Sequence, residues 1–414
     1  MYIFPRVFRS NTTETVYLRC DGAADVEIKL QPMEKYLIPH SKMRIDEEER
    51  YAFSPMKNEG NGLFSFEYAF QDEQKYSVRI RVDGEITSSS VYALDADLFS
   101  LRAFKGDTHV HTCRSDGLKP PFETVCDYLS RGYGFISVTD HHQYAPSLEA
   151  RDVISPLTDA ITVLRGEEVH NAPMGYIHIV SLDADSSIGQ VIDNDPDYVD
   201  ARVNEILSCR SLDGLKHPYT AAYRIFVANE IRRAGGISVL THPLWDAYGE
   251  YNMDTDELVY HLKNKTFDAF ELLADDDFYG NGDNLQVALY YELASQGVST
   301  SLLGSSDCHT TEAEYSFFNR HFSLVFADNV KNLPSAIKNG MCVAVNRRSD
   351  SDFFVFGDFR LVKYARFLLT AYYPQYSALT SRLSEILLRE KRRTEELEGI
   401  EDSIRELNNK FFHP

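Results

Sequence analysis

No Cys-x-x-Cys pair occurs anywhere in this chain. Its six cysteines (Cys20, Cys113, Cys126, Cys209, Cys308 and Cys342) are scattered, which argues against a disulfide framework or structural zinc knuckle and for reduced thiols. No stretch approaches the roughly eighteen apolar residues of a membrane helix. The segment Met1-Tyr-Ile-Phe-Pro-Arg6 lacks the apolar run of a secretion signal. A cytoplasmic location with no membrane partner is therefore expected. Positive charge is scarce as well: 63 Asp and Glu stand against 42 Lys and Arg, a net charge of −21. Such a surface repels polyanions at long range, which argues against general nucleic-acid binding. Internal repeats and low-complexity segments are absent too.

What remains is an ordinary globular composition, 43% hydrophobic and 25% charged over 414 residues, enough for two or three domains. Residues 1–102 read as β. Val16–Cys20, Val26–Leu30, Phe64–Tyr68 and Tyr76–Val82 alternate apolar with polar residues, the period of a sheet with one buried face. Gly60-Asn-Gly62 and Asp83-Gly84 supply turns, and a small antiparallel β-sandwich is predicted. Over residues 103–350, short apolar strands such as Phe135–Thr139, Ile177–Val180, Ile237–Leu240 and Ala269–Leu273 alternate with helical stretches such as Ala222–Ala234 and Leu285–Gln296. That order points to an α/β fold with a parallel sheet or barrel, where chemistry collects at the C-terminal strand ends. Residues 351–414 read as a C-terminal helical extension. Its apolar stripe, Leu397, Ile400, Ile404, Leu407 and Phe411, either docks on the same chain or pairs with a second copy to form a homo-oligomer.

The chemistry lies in the middle segment. His109 and His111 are two apart, so on a strand both rings face one side. Asp116 follows in a turn closed by Gly117, and a later strand ends in Asp140-His141. Glu167-Glu168, His178, His242-Pro243 and Asp307-Cys-His309 complete the series. A lone histidine is more often a packed or surface residue than a ligand. Six of thirteen at strand ends, interleaved with acids, are hard to explain as packing, because clustered unpaired polar groups are costly to bury. Mixed imidazole and carboxylate donors suit Zn, Mn or Fe, and nine side chains exceed what one tetrahedral ion can use. Two or three divalent ions are expected.

This ordered set, HxHxxxSDG, TDH, GxE, a following His, HP and SDxH, resembles the PHP family, named for polymerase and histidinol phosphatase. The similarity covers about residues 104 to 310. It implies a distorted (β/α)7-type barrel and a metal-dependent phosphoesterase. The metal ligands it implies are His109, His111, Asp116, His141, Glu168, His178, His242, Asp307 and His309. The spacing of GxE favours Glu168 over Glu167, and His142, His170 and His217 lie near enough in sequence to compete for a role. The layout further resembles the branch typified by a carbaryl hydrolase, in which an N-terminal β region precedes the barrel.

The implied activity is hydrolysis of a small phosphomonoester or short nucleotide by a hydroxide bridging the ions. Asp140 stands beside His141 either to orient that imidazole or to cap the strand end. Arg320 is the first candidate to meet an anionic small-molecule substrate, with Arg114 and Arg224 behind it. Cys113 and Cys308 lie inside ligand loops, either as nucleophiles or as small residues tolerated beside ligands. Two other readings stand beside this one. The same site can hydrolyse a carbamate, ester or amide, or the domain can be a metal-loaded binding module without turnover.

Overall fold

The computed structural model describes residues 1–34, 52–170, 177–209, 212, 214–247, 249–274, 281–312 and 318–412. Two compact units emerge: Met1–Leu101 with Arg366–Tyr376 and Asp402–Pro414, and Arg102–Ala365 with Ser377–Glu401.

In the first unit, Gln74–Val82 shows why the chain forms sheets. Gln74, Tyr76, Val78 and Ile80 are buried while Lys75, Ser77, Arg79 and Arg81 turn outward to varying degrees, so one face meets a core. This strand lies in a five-stranded sheet ordered Val7–Arg9, Glu85–Leu94, Gln74–Val82, Val26–Pro32 and Ser54–Pro55. A four-stranded sheet is ordered Tyr2–Phe4, Thr12–Arg19, Leu63–Phe70 and Lys57–Gly60. Val16, Leu18 and Phe64 of the latter share one core with Ile28, Val78 and Val91 of the former, a β-sandwich arrangement. All pairings are antiparallel except that of Val7–Arg9 with Glu85–Leu94, which is parallel.

The second unit is mixed α/β and, among the described residues, carries two large sheets and a two-stranded ribbon, Asp246–Ala247 with Glu250–Tyr251. One is ordered Thr162–Leu164, Phe135–Val138, Arg102–Val110, His321–Ala327, Cys342–Arg347 and Phe353–Phe356. The other is ordered Gly166–His170, His178–Leu182, Ile237–Leu240, Ala269–Leu273 and Ser301–Gly304. Phe135–Val138, Ile237–Leu240 and Ala269–Leu273 are buried at every residue, as expected for parallel strands covered on both faces. The two sheets are not a uniform parallel barrel. Gly166–His170 and His178–Leu182 form an antiparallel hairpin, because too few residues intervene for the helical crossover that parallel pairing requires. The strand His321–Ala327 is likewise antiparallel to both of its neighbours.

The segment expected as a C-terminal helical extension, residues 351–414, contains three helices and one strand among its described residues. Phe353–Phe356 is the edge strand of the six-stranded sheet, and the helices begin at Phe359. The residues of Phe359–Ala371, Tyr373–Glu390 and Glu395–Phe411 are divided between the two units. Leu397, Ile400, Ile404 and Phe411 are buried and Leu407 is half-buried, so the apolar stripe is already covered within one copy of the chain. Among the described residues, no helix is long and apolar enough to cross a membrane.

Candidate metal centre

The fold brings the nine expected donors together at one end of the second unit's strands. His109 lies near the end of Arg102–Val110, with His111 just beyond it. His141 follows Phe135–Val138, Glu168 lies in Gly166–His170 and His178 opens His178–Leu182. His242 follows Ile237–Leu240, and Asp307 and His309 follow Ser301–Gly304. The Asp116 loop folds back onto the cluster because Gly117 lets the chain approach so closely. A Cβ there would sit 2.6 Å from the His111 carbonyl oxygen.

Glu168 is the hub. It is fully buried, and its two carboxylate oxygens lie within 3.5 Å of five imidazoles, those of His109, His111, His141, His178 and His242. Glu167 points the other way, as strand alternation dictates. It accepts from Ser187 Oγ at 2.7 Å and from the Ile188 and Gly189 amides, at the start of the helix Ile188–Asn194.

Three groups of donors have ligand spacing: His109, His111, Glu168 and Asp307; His111, Asp116, His141 and His309; and His141, Glu168 and His178. In the first, His109 Nε2 is 3.2 Å from Glu168 Oε2 and 3.3 Å from Asp307 Oδ1, while His111 Nε2 is 3.3 and 3.0 Å from the same oxygens. A tetrahedron of donors about 2.0–2.1 Å from a central ion has edges of about 3.3 Å. All four atoms are buried, and none has a hydrogen-bond partner despite this proximity. Four buried polar atoms held this close without pairing with one another fit a common ion. Around Asp116, Oδ2 lies 3.3 Å from His141 Nε2 and 3.4 Å from His309 Nε2. His242 joins through Nε2, 3.5 Å from Glu168 Oε1 and 3.8 Å from Asp307 Oδ2.

The electrostatics show how unusual this packing is. Burial works against ionisation of Glu168, yet His109 and His178 hold its carboxyl well below the usual range. Burial alone would depress His141, but Asp116 and Glu168 push it up to about 10. His309 is raised to about 9 against its burial, chiefly by Asp116 and Asp307. Ions would have to displace the protons favoured on His109, His141 and His309, so metal uptake would weaken as pH falls, whereas burial lowers His178. Two of the donors also carry backbone strain, with φ of 21° at His242 and 47° at Asp307. Such non-glycine conformations cost on the order of 1–3 kcal/mol each and persist where surrounding structure over-determines them.

Several supporting groups were not foreseen from the sequence. Glu271, fully buried in Ala269–Leu273, has Oε1 3.1 Å from His109 Nδ1, and its Oε2 accepts the His242 amide at 3.3 Å. The available signal was a lone acid inside an otherwise apolar buried strand. Asp107 accepts from the His109 and Ser306 amides and from Tyr128 Oη, at 3.2, 3.1 and 3.1 Å. It thereby ties the two ligand loops together, and burial pushes its carboxyl up to about 7.

Of the two roles expected for Asp140, its side-chain contacts fit holding the loop at the strand end. Its carboxylate accepts from the Thr112 amide, Thr112 Oγ1, the Ser115 amide and Ser115 Oγ, at 2.8, 2.7, 3.0 and 2.6 Å. It organises the loop that carries Asp116, and Ser115 Oγ in turn lies 3.4 Å from His111 Nδ1. Asp140 is therefore a positioning residue for that loop and for His111; its hydrogen bonds do not orient His141. Arg320 is exposed beside His321–Ala327. Arg114 is held by Glu149 at 2.7 Å, and buried Arg224 by Glu257 at 2.6 Å. His142 Nε2 meets Asp193 at 3.1 Å, and His217 is exposed at the start of Pro218–Arg233. His170 alone of the three competing histidines joins the cluster, its ring centroid 4.9 Å from that of His141 and 4.8 Å from that of His178. Cys308 is buried and its thiol donates to the Thr310 carbonyl at 3.1 Å, while Cys113 is exposed.

No family model matches the chain. Among curated proteins, 239 residues align at 26% identity with the DNA polymerase/3′-5′ exonuclease PolX of Bacillus subtilis, covering 53% of this chain. The chain spans only 37% of the length of that relative. Among solved structures, a two-domain protein from Bacteroides vulgatus containing a predicted PHP-like metal-dependent phosphoesterase gives a TM-score of 0.41 at 17% identity, over 60% of this chain and 66% of that one. An amidohydrolase from Chromobacterium violaceum gives a TM-score of 0.34 at 16% identity, over 50% of this chain and 88% of that one. With its ordered motifs converging on Glu168, the chain is similar to PolX over these 239 residues, and the segment of about residues 104 to 310 resembles the PHP family.

Proposed function

We propose that this protein is a metal-dependent phosphoesterase that hydrolyses a small phosphomonoester or short nucleotide. One observation carries the reading. Glu168 is shared by two adjoining sets of donors with ligand spacing, and in one of them His109 Nε2, His111 Nε2, Glu168 Oε2 and Asp307 Oδ1 are buried without a hydrogen-bond partner. Two or three ions, Zn, Mn or Fe, would be held by His109, His111, Glu168 and Asp307, by Asp116, His141 and His309, and by His178 and His242 against Glu168. When bound, such ions supply Lewis-acid polarisation of an ester oxygen and activation of water near neutral pH.

The remaining work belongs to the chain. Glu271, beside Nδ1 of His109, keeps that imidazole's Nε2 turned towards the ions. Asp140 and Ser115 hold the loop that presents Asp116. Arg320 is the arginine proposed to meet the anionic group of the substrate. The pairing of Arg114 with Glu149 and of Arg224 with Glu257 withdraws two other cations from that task. That pairing favours, as a second reading, hydrolysis of a carbamate, ester or amide, whose neutral carbonyl needs less positive charge.

Metal-reconstituted protein assayed on p-nitrophenyl phosphate, a p-nitrophenyl carboxylic ester and an aryl carbamate separates the two. Phosphate release that is lost in His109→Ala is the expected result. Turnover confined to the carbonyl compounds would replace the phosphoesterase reading with the second one, and no turnover of any of them would sink both.

A further inference from the structure

Trp245, the one tryptophan of the chain, stands beside the ligand cluster. Its ring centroid is 5.5 Å from that of His242, edge-on at 73°, and 5.9 Å from that of His178, tilted at 57°. Yet the indole is only half-buried, whereas His178 and His242 are buried. A side chain serving only to fill the core would be covered; this one leans on two donor imidazoles and keeps part of its surface in solvent.

The backbone that carries it is fixed from several directions. The Trp245 amide donates to the His242 carbonyl at 3.0 Å, and its own carbonyl accepts the Asn252 amide at 3.0 Å. The Leu244 amide donates to Gln286 Oε1 at 3.2 Å. Buried Arg224, paired with Glu257, donates to the Asn252 carbonyl at 3.1 Å. The loop backbone is thus held in place beneath the indole, a large flat surface of the kind effective in recognition. The half-buried ring of His170 lies 4.8 Å from that of His178 and, two residues after Glu168 on one strand, faces the same side as that carboxylate.

We infer that Trp245 is the specificity wall of this site, stacking a flat aromatic group carried on the substrate's ester, either a nucleobase or an aryl ring on its leaving group. The inference rests on the phosphoesterase reading above, and its test separates the two. Two substrate pairs keep an alkoxide leaving group and differ in the aromatic part: benzyl phosphate against propyl phosphate, and adenosine monophosphate against ribose 5-phosphate. Stacking of this kind is worth about tenfold or more per ring. Wild-type protein is expected to show about that preference in kcat/KM for the aromatic member of at least one pair, and the pair that shows it identifies the source. Trp245→Ala should remove the preference while metal content, read by mass spectrometry, stays at the wild-type level; Trp245→Phe should retain most of it.

Fluorescence supplies a readout independent of turnover, because Trp245 is the sole indole. Phenylphosphonate should quench metal-loaded wild-type protein at about tenfold lower concentration than methylphosphonate. A preference that survives Trp245→Ala, or one absent from both pairs, overturns the wall. If no phosphate ester is hydrolysed, the phosphoesterase reading fails on its own. Selective quenching by phenylphosphonate then still supports the wall, and its absence overturns it.

Discussion

Glu168→Gln is expected to abolish turnover and to empty more than one ion position at once. The substitution keeps the shape of the side chain and removes its charge. Five imidazoles lie within 3.5 Å of that carboxylate, so the donor sets on either side of it lose their shared anion together. A metal site contributes several kcal/mol of transition-state stabilisation, and at about 1.4 kcal/mol per decade its loss lowers kcat by about a thousandfold or more. Glu167→Gln is the matched control. Its carboxylate accepts from Ser187 and from amides at the start of the helix Ile188–Asn194, so it should cost about 1 kcal/mol of stability and leave metal content unchanged. Metal analysis of the two purified variants decides the point. Ions retained in Glu168→Gln and lost in Glu167→Gln would reverse the assignment.

Glu271→Gln should behave differently, because Glu271 acts through His109 and not on substrate. Its carboxylate, 3.1 Å from His109 Nδ1, fixes the tautomer and ring orientation of a donor imidazole. Loss of such a partner typically weakens metal affinity roughly 10–100-fold. The expected result is a rise of that size in the metal concentration needed for half-maximal activity, with kcat largely recovered at saturating metal. An unchanged metal requirement would show that His109 is oriented without Glu271, and a kcat deficit that excess metal does not restore would move Glu271 into direct contact with the reacting groups.

The donors were legible in the sequence as short motifs in or beyond strands whose ordered set resembles the PHP family, and spacing within a strand reports which way a side chain faces. Glu168 and Glu167 illustrate this: alternation along one strand separates a hub from a helix cap. The supporting contacts were less legible. Asp140 and Ser115 meet across twenty-five positions, and Glu271 reaches His109 across 162, so no local pattern encodes either pair. Sheet order was hidden for the same reason. The antiparallel return of His178–Leu182 onto Gly166–His170, and its further pairing with Ile237–Leu240, depend on tertiary register that apolar runs alone do not specify. At the C-terminus, the helical period of Leu397, Ile400 and Ile404 announced a buried stripe, while periodicity by itself could not say whether the same chain covered it.

The most direct test of the account is metal stoichiometry. Chelator-stripped protein, titrated separately with Zn and Mn and then desalted, should retain two or three ions per chain by mass spectrometry, with the count reduced in His109→Ala. A wild-type count of one or none, or an unchanged count in that variant, would contradict the claim that these nine side chains form a shared metal centre.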